Sequence, residues 1–301
     1  MSKSNVDKSG FGHGPATLRL GDLEVNRIGY GAMQLPGPGV WGEPKDPERA
    51  RAVLRRVVEL GINLIDTSWY YGPHVSNRLI AETLHPYPSD LVIACKLGGK
   101  RTPDKGWAPF IRPEELRQGC EEDLRGLKLD RIDVVHLRWM NVGVPLAEAL
   151  DALIALQKEG KIRHIALSNV NAGQVEEALG RTPIVSVQNS FNVARGQGAI
   201  EKMTHAEVED PDAVVDLCAA KGIAFMPFFP LVGSSLDKPG PLAKIAKKHG
   251  ATPAQIVIAW LLARSKTMLP IPGTSSVAHL EENWAARLIA LDASEIAAIG
   301  G

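Results

Sequence analysis

Short apolar runs rich in Val and Ile alternate with longer segments of helical periodicity along the whole chain. Eight of these runs predict β-strands, which begin near residues 26, 63, 91, 131, 162, 184, 223 and 268, and the stretch LRLGDLEV ahead of them predicts a hairpin. The segments between the strands place apolar residues three and four positions apart, with acidic or proline starts and glycine stops, as in DPERARAVLRRVVELG and RPEELRQGCEEDLRGL. This alternation is typical of repeated βα units around a parallel sheet.

The order of these elements predicts an α/β protein: one closed (β/α)8 TIM barrel with an N-terminal β-hairpin. No Ser/Gly linker or change in composition divides the chain, so residues 1–301 are expected to form one domain, with about residues 1–16 as a flexible leader. The GxGxxG motif of an open dinucleotide-binding sheet does not follow the first strand. A barrel therefore fits the pattern better than an open, doubly wound sheet.

Charge and cysteine content argue against several functions. Lys plus Arg and Asp plus Glu both number 34, so no net field recruits nucleic acid or an acidic membrane surface. Cys95, Cys120 and Cys218 show neither CxxC nor Cys/His spacing, which predicts reduced, mostly buried thiols and no metal site. The sequence also has no secretory signal and no run of about 18 apolar residues. We therefore expect a cytoplasmic protein without nucleic-acid or membrane partners.

Polar side chains stand where several of the predicted strands end. In barrels of this kind the chemistry takes place at the carboxyl ends of the strands. The residues at these ends are Asp66, Lys96, His136, Ser168 with Asn169, and Gln188 with Asn189. A helix cap or a solvated turn would explain one such residue alone. A set on consecutive strands predicts an active site, because barrel interiors otherwise favour branched apolar side chains.

Asp66 and Lys96 end neighbouring parallel strands, and we expect them to form a buried ion pair that keeps the lysine charged. A charged lysine beside a phenol stabilises the phenolate and lowers the tyrosine pKa from about 10 toward the range of a general acid. Tyr71, five residues after Asp66, is the predicted phenol. His136, on the next strand, would donate a hydrogen bond to the same oxygen centre and orient a carbonyl substrate. A purely architectural ion pair and a histidine that caps a strand are the alternatives.

Seven short stretches, in their order and spacing, give the chain a specific resemblance to a known family. They are NLIDTSWYYG, IACKLG, DVVHLR, IRHIALSNV, SVQNSFN, PFFPLVGSS and IPGTSSVAHLEEN. Along nearly its whole length the sequence resembles the aldo-keto reductases, and YGPHVSN and PFFPLVGS resemble the bacterial branch that includes pyridoxal reductases. The resemblance implies a tetrad of Asp66, Tyr71, Lys96 and His136, with Tyr71 as proton donor and a nicotinamide as hydride source. Tyr70 is a rival proton donor, but the family's Asp-x4-Tyr-Gly spacing favours Tyr71.

The resemblance also implies a nicotinamide cofactor, with NADPH (NADP+) favoured over NADH. Ser168, Asn169 and Gln188 would hold the carboxamide, and Phe228 would stack on the ring where many relatives carry tyrosine. The loop PLVGSS would fold over the pyrophosphate, its glycine permitting close backbone approach, and an ordinary βα turn is the alternative. The other predicted cofactor contacts in this part of the site are Gly31, Ala32, Met33, Pro230, Leu231 and Gly233.

The segment after the last strand is implied to bind the adenosine end of the cofactor. The predicted contacts are Gly273, Thr274, Ser275 and His279 with the 2′-phosphate, and Glu282 and Asn283 with the adenine. A hydroxyl residue at 274–276 can cap a short helix whose free N–H groups attract an anion. Many relatives carry lysine at the position of Gly273 and arginine at that of His279, so charge compensation is weaker in this chain. A solvated helix histidine is the alternative for His279.

Aromatic residues in the βα loops predict an apolar wall around the tetrad. The predicted substrate contacts are Trp41, Trp69, Tyr70 and Trp139, and Trp107 and Met140 occupy similar positions. Aromatic residues in loops are also common packing anchors, which is the alternative for any one of them.

These features favour an NADPH-dependent oxidoreductase that reduces a small aldehyde or ketone to an alcohol, with pyridoxal as one candidate substrate. One alternative is a Schiff-base aldolase or transaldolase with Lys96 as nucleophile. The predicted pairing with Asp66 argues against it, because a paired lysine stays protonated. A second alternative is a cofactor-sensing regulatory subunit built on the same fold. We expect a monomer or a small homo-oligomer.

Overall fold

The described part of the fold begins with a two-stranded hairpin, as the sequence predicts. The computed structural model describes residues 12–140, 142–193, 210–231, 236 and 240–300. Most of the predicted leader lies outside these residues. Strand β1, Thr17–Leu20, pairs antiparallel with β2, Leu23–Asn26. Leu20 and Val25 point into the barrel and pack there with Val92 and other apolar residues near the amino ends of the parallel strands, so the hairpin covers that end of the interior.

The central sheet has the predicted parallel arrangement. Its strands in the described residues are β3 Tyr30–Gly31, β4 Leu64–Asp66, β5 Val92–Arg101, β7 Ile132–Arg138, β8 Ile162–Ser168, β9 Ile184–Gln188 and β10 Ala224–Phe225. They pair in parallel in the order β3, β4, β5, β7, β8, β9, β10. The carboxyl ends of all these strands therefore meet at one end of the sheet.

The segment 267–273 closes the barrel, although it does not form the continuous eighth strand that the sequence predicts. It makes a single parallel bridge to Phe225 of β10 and another to Gly31 of β3. Pro270 and Pro272 lack the N–H groups that a full ladder needs, so isolated bridges form instead. The segment still joins the two edge strands, and the sheet curls into a barrel.

Strand β5 is longer than predicted and takes part in an additional hairpin. It continues to Arg101 and pairs antiparallel with β6, Trp107–Phe110. Gly98 allows the close approach of β7, because its φ is 109° and a Cβ atom there would lie 2.2 Å from the carbonyl oxygen of Arg138. The hairpin extends beyond the carboxyl end of the barrel and brings Trp107 to its mouth.

Helices pack around the outside of the sheet. Those in the described residues are α1 Pro47–Glu59, α2 Val75–Leu84, α3 Pro113–Leu127, α4 Leu146–Lys158, α5 Ala172–Leu179, α6 Pro211–Lys221, α7 Pro241–His249, α8 Pro253–Arg264, α9 Val277–Ala285 and α10 Ala293–Gly300. Helix α1 starts after Asp46, whose side chain accepts a hydrogen bond from the Arg49 N–H at 3.0 Å, and it buries Val53, Leu54 and Val57. None of the described helices is long and apolar enough to cross a membrane.

Arg27 is fully buried and binds backbone carbonyl groups from separate parts of the chain. Its guanidinium donates to the carbonyl oxygens of Ser265 at 2.8 Å and Met268 at 3.3 Å, and also to that of His13. These bonds connect the end of α8, the closing segment and the described part of the predicted leader. Residues 12–16 are therefore held against the barrel.

Candidate active site

A cleft opens at the carboxyl ends of the strands, where the sequence predicts the active site. The space inside it, counted out to the open mouth, is about 960 Å³. The predicted residues that line it are Gly31, Met33, Asp66, Tyr70, Tyr71, Lys96, Ser168, Gln188, Phe228, Pro230, Leu231 and Gly273. The fold thus brings together candidates that lie far apart in the sequence.

The predicted ion pair between Asp66 and Lys96 is present and buried. Strands β4 and β5 are parallel neighbours with Asp66 opposite Ala94, so Lys96 projects from the same face of β5 two residues further on. The ammonium of Lys96 donates to Asp66 Oδ2 and, at 3.4 Å, to the carbonyl oxygen of Thr67. Gln188 Nε2 donates to Asp66 Oδ1 at 2.9 Å. Both carboxylate oxygens are therefore engaged, and the lysine is paired.

Tyr71 lies in the turn after β4 and reaches the cleft. The turn is fixed by a hydrogen bond from the Tyr71 N–H to the carbonyl oxygen of Ser68 at 3.0 Å and by Gly72, whose φ is 84°. The Nζ atom of Lys96 lies over the Tyr71 ring, 5.1 Å from its centroid. No group among the described residues forms a hydrogen bond with the Tyr71 hydroxyl, which leaves it available to a ligand in the cleft.

The electrostatics of Tyr71 differ from the sequence-based expectation. Burial raises the pKa of the phenol well above 10, the charge of Asp66 raises it further, and Arg138 opposes the shift. Lys96 is engaged by Asp66 and lies against the ring face, so the expected acidic phenol does not arise in this arrangement. Tyr71 is protonated at neutral pH, which is the form that a proton donor requires.

His136 lies inside the barrel and is not among the residues that line the cleft. It is fully buried, and its Nε2 atom shares a hydrogen bond with the hydroxyl of Ser186 at 2.9 Å. Burial lowers the pKa of His136 to about 4, so the imidazole is neutral at pH 7. The structure therefore brings three of the four predicted catalytic residues to the cleft and places the fourth below it.

Arg138 lines the cleft in the part of β7 that lies nearest the mouth. It follows His136 by two positions, so the two side chains share one face of the strand. Its partner in the register of β8 is Ser168, which also lines the cleft. The guanidinium carbon of Arg138 lies 5.7 Å from the centroid of the Trp107 ring.

Ser168, Gln188 and Phe228, three of the predicted nicotinamide contacts, line the cleft, whereas Asn169 is buried and does not line it. Ser168 and Gln188 are partners in register at the ends of β8 and β9. Asn169 follows with a φ of 60°, and its N–H donates to the carbonyl oxygen of Gln188 at 3.3 Å. Phe228 lines the cleft together with Phe229, and the two rings are 5.4 Å apart at 82°. Polar groups and aromatic surface thus face the same space.

Of two other predicted cofactor contacts, one is buried behind the cleft surface and one lies outside the described residues. Ala32 is fully buried, and its carbonyl oxygen accepts a hydrogen bond from the Ser76 hydroxyl at 3.0 Å, so it supports the loop between β3 and α1 behind the cleft surface. Gly233 lies outside the described residues.

The helix after the closing segment has the predicted hydroxyl cap. Ser276 precedes α9 and accepts from the His279 N–H at 3.5 Å, while Thr274 Oγ1 accepts from the Ser276 N–H at 3.0 Å. Ser275 and His279 are exposed. Arg49 of α1, which sequence reasoning missed, donates from Nε to the carbonyl oxygen of Ser275 at 2.8 Å. The same helix carries the predicted adenine contacts, of which Glu282 is partly buried and Asn283 buried.

Tyr70 and Trp107 form an aromatic wall of the cleft. Their ring centroids are 5.8 Å apart and the rings are nearly perpendicular, at 88°. The other predicted substrate contacts, Trp41, Trp69 and Trp139, do not line the cleft. Trp69 and Trp139 pack against the hydrophobic core, and Trp41 stacks on an arginine of the β5–β6 hairpin.

The described residues were also compared with the predictions for metal ions and thiols. Among the residues that the structure describes, no group of three or more His, Cys, Asp or Glu side chains could hold a metal ion. Cys95, Cys120 and Cys218 are buried free thiols, as expected from their spacing.

Comparison with known proteins identifies the family. The model of the Aldo/keto reductase family matches residues 27–301. The chain belongs to this family. Pyridoxine 4-dehydrogenase of Escherichia coli is 45% identical over 291 residues, which cover 95% of this chain and 97% of that protein. An uncharacterised oxidoreductase of Schizosaccharomyces pombe is 41% identical over 298 residues, with 99% and 93% covered.

A solved structure agrees with this assignment. The crystal structure of a thermostable aldo-keto reductase in complex with the inhibitor epalrestat is 28% identical, has a TM-score of 0.77 and covers 94% of this chain and 98% of that chain. The predicted family, the α/β barrel and the oxidoreductase class are therefore confirmed.

Within this aldo-keto reductase, sequence reasoning missed Arg138, Phe229 and Arg49. A signal for Arg138 is present in DVVHLR, because His136 and Arg138 are separated by two positions and project from the same face of a strand. The pattern does not say which of them reaches the mouth. Phe229 has a φ of 51°, a left-handed conformation that is uncommon for an aromatic residue and that the sequence does not reveal. Arg49 lies on an exposed helix turn, where arginine is ordinary.

Proposed function

We propose that this aldo-keto reductase uses NADPH to reduce an aldehyde or ketone to the alcohol, and that pyridoxal is its first candidate substrate. The observation that carries the proposal is the grouping of Tyr71, Lys96 and Asp66 in one cleft with the polar strand ends Ser168 and Gln188. The 45% identity to E. coli pyridoxine 4-dehydrogenase over most of both chains supports the choice of pyridoxal.

The side chains of the cleft suit a nicotinamide. A carboxamide needs hydrogen-bond donors and acceptors, and the Ser168 hydroxyl can act as either. Gln188 Nε2 donates one hydrogen bond to Asp66, so its side-chain oxygen and its second N–H are the groups that it offers. Phe228 and Phe229 supply apolar aromatic surface for the ring. NADPH, when bound, supplies the hydride that adds to the carbonyl carbon.

Tyr71 is the proposed proton donor. Negative charge develops on the carbonyl oxygen as its carbon is reduced, and the neutral phenol gives its proton to that oxygen, which completes the alcohol. Lys96 over the ring and Arg138 at the mouth supply positive charge that stabilises the phenolate left behind. Asp66 holds Lys96 in place through their ion pair.

Arg49 supports the choice of NADPH over NADH. Gly273 contributes no charge, and His279 is an exposed weak base. Arg49 is a permanent cation that donates a hydrogen bond to the carbonyl oxygen of Ser275. The cavity that these two residues line is also lined by Lys45 and Asp46. Two cations against one carboxylate favour a phosphate there.

The Schiff-base alternative finds less support. A lysine nucleophile needs a free amine, whereas Lys96 donates to Asp66 and to the carbonyl of Thr67. A cytoplasmic location is part of the proposal, because buried free thiols suit a reducing compartment. The monomer or small homo-oligomer expected from the sequence stays a prediction.

A panel of carbonyl compounds that includes pyridoxal tests the proposal. Each compound is mixed with the purified protein and NADPH, and the fall in NADPH absorbance is followed. Turnover of pyridoxal that is lost in Tyr71→Phe would support the proposal. Tight NADPH binding without turnover of any compound would favour a cofactor-sensing role, and borohydride trapping of a substrate on Lys96 would favour a Schiff-base enzyme.

A further inference from the structure

We propose that Arg138 selects the substrate of this cleft by binding an anionic oxygen that the substrate carries near its carbonyl group. The inference rests on the proposed reductase function and specifies the substrate class. That class is flat aromatic aldehydes with an ionised oxygen on the ring system, either a phenolate or a carboxylate.

Arg138 brings an uncompensated positive charge to the cleft. Among the described residues, its guanidinium takes part in no salt bridge and no hydrogen bond. Asp66 is the one acidic residue of the described cleft lining, and its two oxygens are engaged by Lys96 and Gln188. A guanidinium has five N–H donors in a planar fork that matches two oxygen atoms of an anion. A substrate anion is therefore the partner that the cleft lacks.

The surroundings hold the guanidinium beside the proton donor. A Cβ atom on Gly99 would lie 3.1 Å from Arg138 Nη1 and 3.7 Å from the Tyr70 ring, so the absent side chain makes room for both. Trp107 contacts the guanidinium from the β5–β6 hairpin, with 5.7 Å between the guanidinium carbon and the ring centroid. Arg138 is also the first cation that opposes the raised pKa of Tyr71. An anion bound by Arg138 thus shares the cleft with the Tyr71 hydroxyl.

The walls next to Arg138 favour an aromatic ring on the substrate. Tyr70 and Trp107 meet edge to face at the same side of the cleft, and Phe229 lines it as well. In pyridoxal an acidic ring hydroxyl is adjacent to the aldehyde, so it has both the flat ring and the anionic oxygen. The same recognition would accept other aromatic aldehydes with this feature and disfavour their neutral analogues.

Matched substrate pairs test the role of the charge. 2-Formylbenzoate is compared with its methyl ester, and the phenolate form of salicylaldehyde with 2-methoxybenzaldehyde, by NADPH consumption. In the wild-type protein the anionic member should have the higher kcat/KM. In Arg138→Gln the anionic-to-neutral ratio of kcat/KM should fall at least tenfold, mainly through KM, and Arg138→Lys should give an intermediate ratio because it keeps the charge and loses the fork.

Arg101→Gln is the matched control. Arg101 stacks on the same Trp107 ring at 4.2 Å but does not line the cleft, so its loss should leave the substrate ratio unchanged. An equal ratio in wild type and Arg138→Gln would overturn the inference while leaving the reductase function intact. The phenolate and carboxylate pairs separate the two sources of the anion.

A binding measurement keeps the inference testable if no aldehyde is turned over. Calorimetric titration of 2-formylbenzoate into the NADP+-loaded protein should give at least tenfold weaker binding in Arg138→Gln than in wild type. Equal binding to both proteins would overturn the inference. If no compound is turned over but binding is weakened in Arg138→Gln, the reductase proposal would be wrong and the role of Arg138 in anion binding would stand.

Discussion

Lys96 lies over the face of the Tyr71 ring, 5.1 Å from its centroid, while its hydrogen bonds go to Asp66 and to the carbonyl of Thr67. The lysine therefore acts on the phenol through the ring and does not compete for the hydroxyl. In the proposed proton transfer, a positive charge over the ring would favour the phenolate that remains. The hydroxyl itself stays open to a substrate oxygen.

Replacing Tyr71 by phenylalanine should abolish most of the reductase activity. Loss of a general acid costs about 10²- to 10⁴-fold in rate, so kcat for aldehyde reduction in Tyr71→Phe should fall within that range. Tyr70→Phe is the matched control, because it removes a hydroxyl from the neighbouring ring of the same cleft and should change kcat by less than about tenfold. The reverse order of the two variants would assign the proton transfer to Tyr70.

Removing one partner of the buried ion pair should destabilise the barrel. Asp66→Asn leaves the Lys96 ammonium without its counter-charge, which costs about 3–5 kcal/mol in the free energy of unfolding measured with urea. The double variant Asp66→Asn with Lys96→Met should recover part of that loss, since the unpaired charge is gone. A double variant no more stable than Asp66→Asn would contradict the assumption that the unpaired charge causes the loss.

Asp123 should make stability depend on pH. It is fully buried, Asn77 donates to it at 2.7 Å, and burial raises its pKa from 3.8 to about 7. Because the folded state binds the proton more tightly than the unfolded state, this group favours folding at low pH, and the advantage is lost as the pH rises from about 4 to about 7. The shift corresponds to a change on the order of 4 kcal/mol.

The Asp123 effect can be isolated by comparison with Asp123→Asn. The difference in the free energy of unfolding between wild type and variant should move in favour of the variant as the pH is raised from 4 to 8. A constant difference across this range would show that Asp123 has the same pKa in the folded and unfolded states.

Arg49 should contribute to the choice of cofactor. Its replacement in Arg49→Gln should raise the Kd for NADP+ about tenfold, or about 1.4 kcal/mol, and leave the Kd for NAD+ unchanged in calorimetric titrations. Arg51→Gln is the matched control on the same helix, because Arg51 pairs with Glu48 and Glu82. If both cofactors weaken equally in Arg49→Gln, the residue acts on the fold and not on the 2′-phosphate.

The ion pair between Asp66 and Lys96 could be predicted from the sequence. NLID and IACK read as neighbouring parallel strands, and their polar ends had to meet at the same end of the barrel. The pKa of Tyr71 could not be predicted from the sequence. It depends on how deeply the ring is buried and on which atoms of the lysine face it, and neither quantity is encoded in spacing along the chain.

The sequence also does not show how deep in the barrel each residue of a strand lies. A period of two fixes the face of β7 on which His136 and Arg138 lie, but it does not fix where the barrel interior ends and the cleft begins. The β5–β6 hairpin brings Trp107 to the mouth of the cleft, and its four-residue strand WAPF contains a proline and little alternation. The loop tryptophans were equally ambiguous, because an aromatic side chain fits the core as well as a cleft.

The two prolines of the closing segment give the barrel a seam. The other adjacent strands of the described sheet are joined by ladders, whereas residues 267–273 join β10 and β3 by isolated bridges. At one end of this segment Arg27 donates hydrogen bonds to the carbonyl oxygens of Ser265 and Met268. Local opening, and with it amide exchange of Leu269 and Ile271, should begin along this line. Gly273 lines the cleft, and the proposed cofactor-binding segment follows directly. A ligand that contacts both edge strands there would therefore hold them together and stabilise the closed barrel.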